Sequence, residues 1–106
     1  MEKIYRIEFY VPETHLEIVK NAMFKAGAGK IGNYDCCSWQ VAGDGQFKAL
    51  EGSDPYLGKI GKIEKVKEFK VELVCSRELI EKTVKALIDS HPYETPAYQI
   101  IEAFIL

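Results

Sequence analysis

The stretch Ser90-His91-Pro92-Tyr93-Glu94-Thr95-Pro96 sets an imidazole, a phenol and a carboxylate between two prolines. Proline fixes its own φ and restricts the residue before it, so the segment reads as a rigid turn presenting His91, Tyr93 and Glu94 in set positions. Imidazole with carboxylate is a donor pair for a divalent metal. Two ligands are too few for a tight site within one chain. The competing reading is structural: a histidine at a helix C-terminus is stabilised there by the helix dipole when protonated. The other histidine, His15, reads as a surface or locally packed residue.

The second chemical stretch is GAGKIGNYDCCSW, Gly27 to Trp39. Its first six residues spell G-x-G-x-x-G, which cradles a pyrophosphate only after a strand and at the start of a helix. Here the glycines follow an expected helix and precede an expected strand, so the nearby helix end is the negative one. The dinucleotide reading is set aside. The loop reads as a helix C-cap and a link. In the alternative, its glycine backbone and Lys30 approach a ligand or a neighbouring subunit. Cys36 and Cys37 are adjacent on the expected strand, where successive side chains point to opposite faces, so they do not grip one metal together. No C-x-x-C zinc spacing is present. Cys75 falls on the core face of its strand.

No acid–base–nucleophile set stands out; Ser38 and Ser53 lack a G-x-S-x-G context. The expectation is a protein that is not an enzyme. A net charge of −2, with basic residues dispersed among acidic ones, leaves no footprint for nucleic acid. No apolar run reaches the roughly 18 residues of a membrane helix, and the N-terminus has no signal-peptide pattern. Three cysteines, an odd number, suit a reducing compartment, so the expected location is cytoplasmic.

The elements that position these residues follow from hydrophobic period. The 106 residues suit a single domain spanning 1–106. Lys3 to Val11 alternates as a half-buried strand. After Pro12, the residues Leu16, Val19, Ala22, Met23 and Ala26 recur at helical steps, and Gly27 stops them. Tyr34 to Val41 reads as a second strand. Ala42 to Gly61 reads as mostly loop, with Gln46 to Leu50 a short hairpin arm across Gly43-Asp44-Gly45. Lys65 to Cys75 is the strongest strand. Ser76 caps a helix from Arg77 to Ser90 with Leu79 or Ile80, Thr83, Val84, Leu87 and Ile88 on its buried face. Ala97 to Ile105 is the last strand. The order βαββαβ implies an α+β, ferredoxin-like antiparallel sheet with both helices on one face.

Two motifs together carry a family resemblance. The segment GAGKIGNYDCCSWQVAGDGQFKALEGSDPYLGKIGKIEKVKEFKVE resembles the domain inserted in YqfO-type members of the Nif-three-like, dinuclear metal-centre family. HPYETPAY fits that insert too, and is similar to the H-P-Y-E-x-P turn of CutA proteins, which share the trimeric fold of PII signalling proteins. The resemblance covers nearly the whole chain. It implies a freestanding equivalent of the insert, a PII/CutA-like fold, a homotrimer with clefts between subunits, and a small molecule or partner protein as ligand. The two-metal site of that family is built outside the insert, and this chain has two histidines, so hydrolase activity is not carried over. On this reading Lys30, Tyr34, Cys36, His91 and Glu94 line an inter-subunit cleft. The expected function is a non-enzymatic trimeric binding or regulatory module. The alternative is a copper or zinc protein of CutA type, with the divalent metal on His91 and Glu94.

Overall fold

A computed structural model describes residues 1–106. The chain forms β1 (Glu2–Pro12), α1 (Leu16–Lys25), β2 (Trp39–Lys48), β3 (Ile63–Cys75), α2 (Ile80–Ser90) and β4 (Tyr98–Ile105), with a single 3-10 turn leading into each helix. The four strands make one antiparallel sheet in the order β2-β3-β1-β4. Both helices cover one face. The expected α+β, ferredoxin-like arrangement is the fold observed.

Alternation sets the core. Ile7, Phe9 and Val11 of β1 lie beside Leu73, Val71 and Phe69 of β3. They meet Leu16, Val19 and Met23 of α1 and Leu87 of α2 in one buried cluster. Each such side chain withdrawn from water contributes about 1.5–3 kcal/mol. Cys75 is buried here as its strand face requires, with Sγ 3.3 Å from the Thr83 hydroxyl. Ile88 is a correction: it is 43% exposed, beyond the buried stripe of α2.

The helix-free face has different chemistry. Arg6 reaches Glu8 at 2.9 Å and Glu72 at 3.5 Å, and Lys70 lies 3.7 Å from Glu8. By cross-strand register Trp39, Val41 and Ile105 share this face with Glu8, and all three are exposed.

The second strand departs from the sequence expectation. It begins at Trp39, not Tyr34, and runs through Gly43-Asp44-Gly45 to Lys48 without turning. Its ladder with β3 extends from Trp39 opposite Glu72 to Lys48 opposite Ile63, whereas β1 reaches only to Glu68. The outer half of this hairpin therefore projects beyond the sheet, and the molecule measures 47 × 24 × 22 Å. Glycine in a strand marks a close approach as often as a turn. A β-carbon at Gly45 would fall on the Glu68 carboxylate. The loop proper, residues 49–62, is closed by Gly61 N–H donating to the Ala49 carbonyl at 2.8 Å.

Candidate functional site

The proline-bounded turn is held from β1. The His91 N–H closes α2 on the Leu87 carbonyl at 3.0 Å, and Pro92 prevents a further turn. His91 itself is extended, at φ −77° and ψ 139°. A residue before proline is driven to that conformation by the clash with the proline ring. The His91 ring is buried and spans two backbone groups. Nδ1 accepts from the Tyr93 N–H at 3.1 Å, which requires the proton to sit on Nε2, and Nε2 then donates to the Tyr10 carbonyl at 2.7 Å. The ring is thus neutral. Burial pushes its pKa down, the Tyr10 carbonyl opposes this, and the charge of His15 adds to the lowering.

From this anchor the next residues fan outward. The Tyr93 ring packs edgewise on His91, with centroids 4.9 Å apart, and its hydroxyl donates to Glu68 Oε2 at 3.0 Å. Burial first, and then the Glu68 carboxylate, raise the Tyr93 pKa, so the phenol stays a donor. Both Glu94 oxygens accept from the Asp54 N–H, at 3.1 and 3.2 Å, tying the turn to the 49–62 loop. Between turn, loop and strands lies a cleft of about 540 Å³, walled by Tyr10, Phe47, Tyr56 and Tyr93 and flanked by Glu68 and Glu94. Phe47 and Tyr56 stand 6.0 and 6.2 Å from Tyr93, tilted by 55° and 45°.

The glycine loop is a separate structure. Gly29 N–H donates to the Val74 carbonyl and Cys37 N–H to the Gly29 carbonyl, each at 2.8 Å. Ile31 and Tyr34 bridge a tight turn. Cys36 does not lie on a strand: it sits at φ +55°, held by its N–H on Asp35 Oδ1 at 2.7 Å. The argument that the two cysteines face opposite sides of a strand therefore does not apply to them. Lys30, Tyr34 and Cys36 are all exposed. Nearby, Arg6, Cys37, Trp39 and Glu72 line a shallow depression of about 250 Å³.

Within one chain the two segments do not meet. The loop is tied to Val74, opposite Arg6, and the turn to Tyr10, opposite Lys70. Four strand residues separate these points, about 13 Å at about 3.3 Å per residue. Of the five site residues expected from sequence, Glu94 flanks the cleft and His91 supports it from behind. Lys30, Tyr34 and Cys36 stand apart. Tyr10 and Glu68 escaped sequence reasoning because each reads as an outward residue of an alternating strand. The aromatic surplus of the Phe47–Tyr56 region was the one available signal.

A metal fits poorly on His91 and Glu94. Both imidazole nitrogens are committed to backbone groups, and a metal must displace one of them. No cluster of three or more His, Cys, Asp or Glu side chains arises anywhere in the chain.

No family model matches the chain. It is 44% identical over 99 residues to a GTP cyclohydrolase 1 type 2 homolog of Halalkalibacterium halodurans, covering 93% of this chain and 27% of that protein. The chain thus spans about a quarter of the length of such relatives. Among solved structures, a Bacillus cereus protein related to NIF3 superposes with a TM-score of 0.82 at 36% identity, over 96% of this chain and 26% of that one. CutA from Xylella fastidiosa gives 0.70 at 17% identity, over 96% and 85% of the two chains. GlnK of B. subtilis gives 0.58 at 18%, over 96% and 86%. The PII/CutA-like fold is established by these matches.

Proposed function

We propose that the chain is a non-enzymatic, homotrimeric binding and regulatory module of PII/CutA-like type, acting in the cytoplasm. It corresponds to the domain inserted within Nif-three-like proteins. The observation that carries the binding role is the cleft at the His91–Pro96 turn. It is concave, largely apolar, and edged by few polar groups whose orientations are fixed, which is the usual build of a ligand site. A fold shared with CutA and GlnK supports assembly but does not itself confer a ligand.

Trp39 and Val41, exposed neighbours on the helix-free face of β2, support self-association, since adjacent exposed apolar groups on a monomer mark contact surfaces. Assembly also offers a role for Lys30, Tyr34 and Cys36. The loop that carries them in one subunit approaches the turn of its neighbour, a proximity the single chain does not provide. Three unpaired cysteines suit the reducing cytoplasm.

Light scattering is expected to return three times the 12.0 kDa chain mass, unchanged by added zinc or copper. A monomer at micromolar concentration would remove the inter-subunit part of this proposal.

The metal alternative has its own test. Titration with zinc or copper is expected to leave the His91 ring resonances unmoved at micromolar metal, because both ring nitrogens are engaged. A saturable affinity abolished by Glu94→Gln, in a protein that remains folded, would replace the present reading with the metal one.

A further inference from the structure

We infer that the cleft at the proline-bounded turn receives a small organic cation, an alkylated ammonium, held by the faces of Phe47, Tyr56 and Tyr93 and neutralised by Glu68 and Glu94. The inference rests on the reading of this cleft as a ligand site and adds the chemical class of its occupant.

Three observations lead there. First, the rings are walls of one space rather than a stack. Phe47 and Tyr56 stand 6.0 and 6.2 Å from Tyr93, tilted by 55° and 45°, and all three rings line the cleft. Aromatic faces carry negative quadrupole density and attract a cation lying within about 6 Å of the centroid. Second, the two carboxylates lack a basic partner. Six of the sixteen acids pair with lysine or arginine, and Glu68 and Glu94 are among the ten that do not. Lys48, which lines the same cleft, forms no ion pair with them. Both acids are nevertheless fixed, one by the Tyr93 hydroxyl and the other by the Asp54 N–H. Negative charge is thus positioned beside an apolar, aromatic wall, two carboxylates to the one lysine that lines the cleft. Third, the size fits: a volume of about 540 Å³ is ordinary for a small-molecule site.

The same features select against other ligands. A phosphate or nucleotide needs converging N–H and basic donors, and here carboxylates flank the entrance. A hard divalent cation needs several oxygens in one shell. Two carboxylates among aromatic walls supply too few oxygens for such a shell. An alkylated ammonium has a diffuse charge, sheds water easily and presents methyl groups to the rings, so it uses both halves of the site.

The test compares choline with 3,3-dimethyl-1-butanol, its uncharged isostere, by amide NMR at constant ionic strength on the intact protein. Choline is expected to shift the amides of Phe47, Tyr56, Tyr93 and Glu94 saturably. The isostere is expected to bind about tenfold more weakly or worse, the ratio that a desolvated cation–π contact supplies. Tyr56 is 49% exposed, so Tyr56→Leu retains the fold and is expected to weaken choline several-fold. Glu68→Gln is expected to do the same. Equal binding of the two probes would overturn the cation assignment in favour of an unselective apolar cleft. No shift from either probe at tens of millimolar would overturn it too, as would protection of the cleft amides in a ligand-free oligomer, which would name a second copy as the occupant. If light scattering gives a trimer in those cases, the module reading stands and only the ligand class fails.

Discussion

Gly29→Ala is expected to lower the unfolding free energy by about 2–4 kcal/mol, read as a shifted urea midpoint at unchanged slope. Two costs combine. Gly29 sits at φ +84°, where an L side chain loses about 1–2 kcal/mol to sterics. A β-carbon there would also lie 2.8 Å from Phe24 Cε1 and 3.1 Å from the Cys37 nitrogen. The partly buried Phe24 ring must give way, and the Cys37 nitrogen is itself fixed by its bond to the Gly29 carbonyl. Overpacking of this kind costs about 1–3 kcal/mol. Gly32→Ala is the control. Its φ is +57°, but nothing lies within 4 Å of the added carbon, so only the conformational part should appear. Equal losses at the two positions would show that packing around Gly29 contributes nothing. Gly29 of the motif thus serves close backbone approach, without any phosphate.

His91→Ala is expected to cost about 1–3 kcal/mol, since it leaves the Tyr10 carbonyl and the Tyr93 N–H without partners in a partly buried site. The variant should also respond differently to pH. The folded pKa of His91 lies below its ordinary value, chiefly through burial. The unfolded chain therefore binds this proton first, and stability falls as pH drops below about 6.5 toward the lower folded value. Above about 6.5 the contribution is fully present. Protonation removes the Nδ1 acceptor for the Tyr93 N–H, which is the same effect in structural terms. Denaturation midpoints at pH 7.5 and 5.5, at fixed protein concentration, should differ more for the wild type than for His91→Ala. Fixed concentration matters because assembly would contribute to apparent stability. Identical pH dependence of the two proteins would place the titrating group elsewhere. Loss of His91 should also release Tyr93 from Glu68, so the cleft should lose its shape before the core does.

Composition, alternation and helical spacing settled a great deal. The alternation from Tyr5 to Val11 and from Phe69 to Cys75 determines which face meets the helices, because strand period two admits no other assignment. The stripe Leu16, Val19 and Met23 and the stop at Gly27 determine α1 in the same way. Pro92 and Pro96 bound a rigid turn wherever they are placed. These are local constraints, and they suffice for the element order and the ferredoxin-like class.

The limits of β2 were not local. Glycines at 43 and 45 look like a hairpin turn, yet the Glu68 carboxylate lies over Gly45 and the strand continues. Nothing in the immediate sequence around Gly45 carries that information. The candidate site follows the same logic. His91 looks like a ligand in sequence, but both its nitrogens are spent on Tyr10 and Tyr93 backbone groups, one of them 81 residues away. Tyr10 and Glu68 alternate like any outward strand residue, and become cleft walls only because the projecting hairpin and the turn fold toward each other. The sequence alone therefore determined the fold class and the rigid turn, through backbone restriction and hydrophobic period. The tertiary structure decided which side chains converge and which charges remain unpaired, because convergence depends on contacts between distant segments that no local pattern encodes.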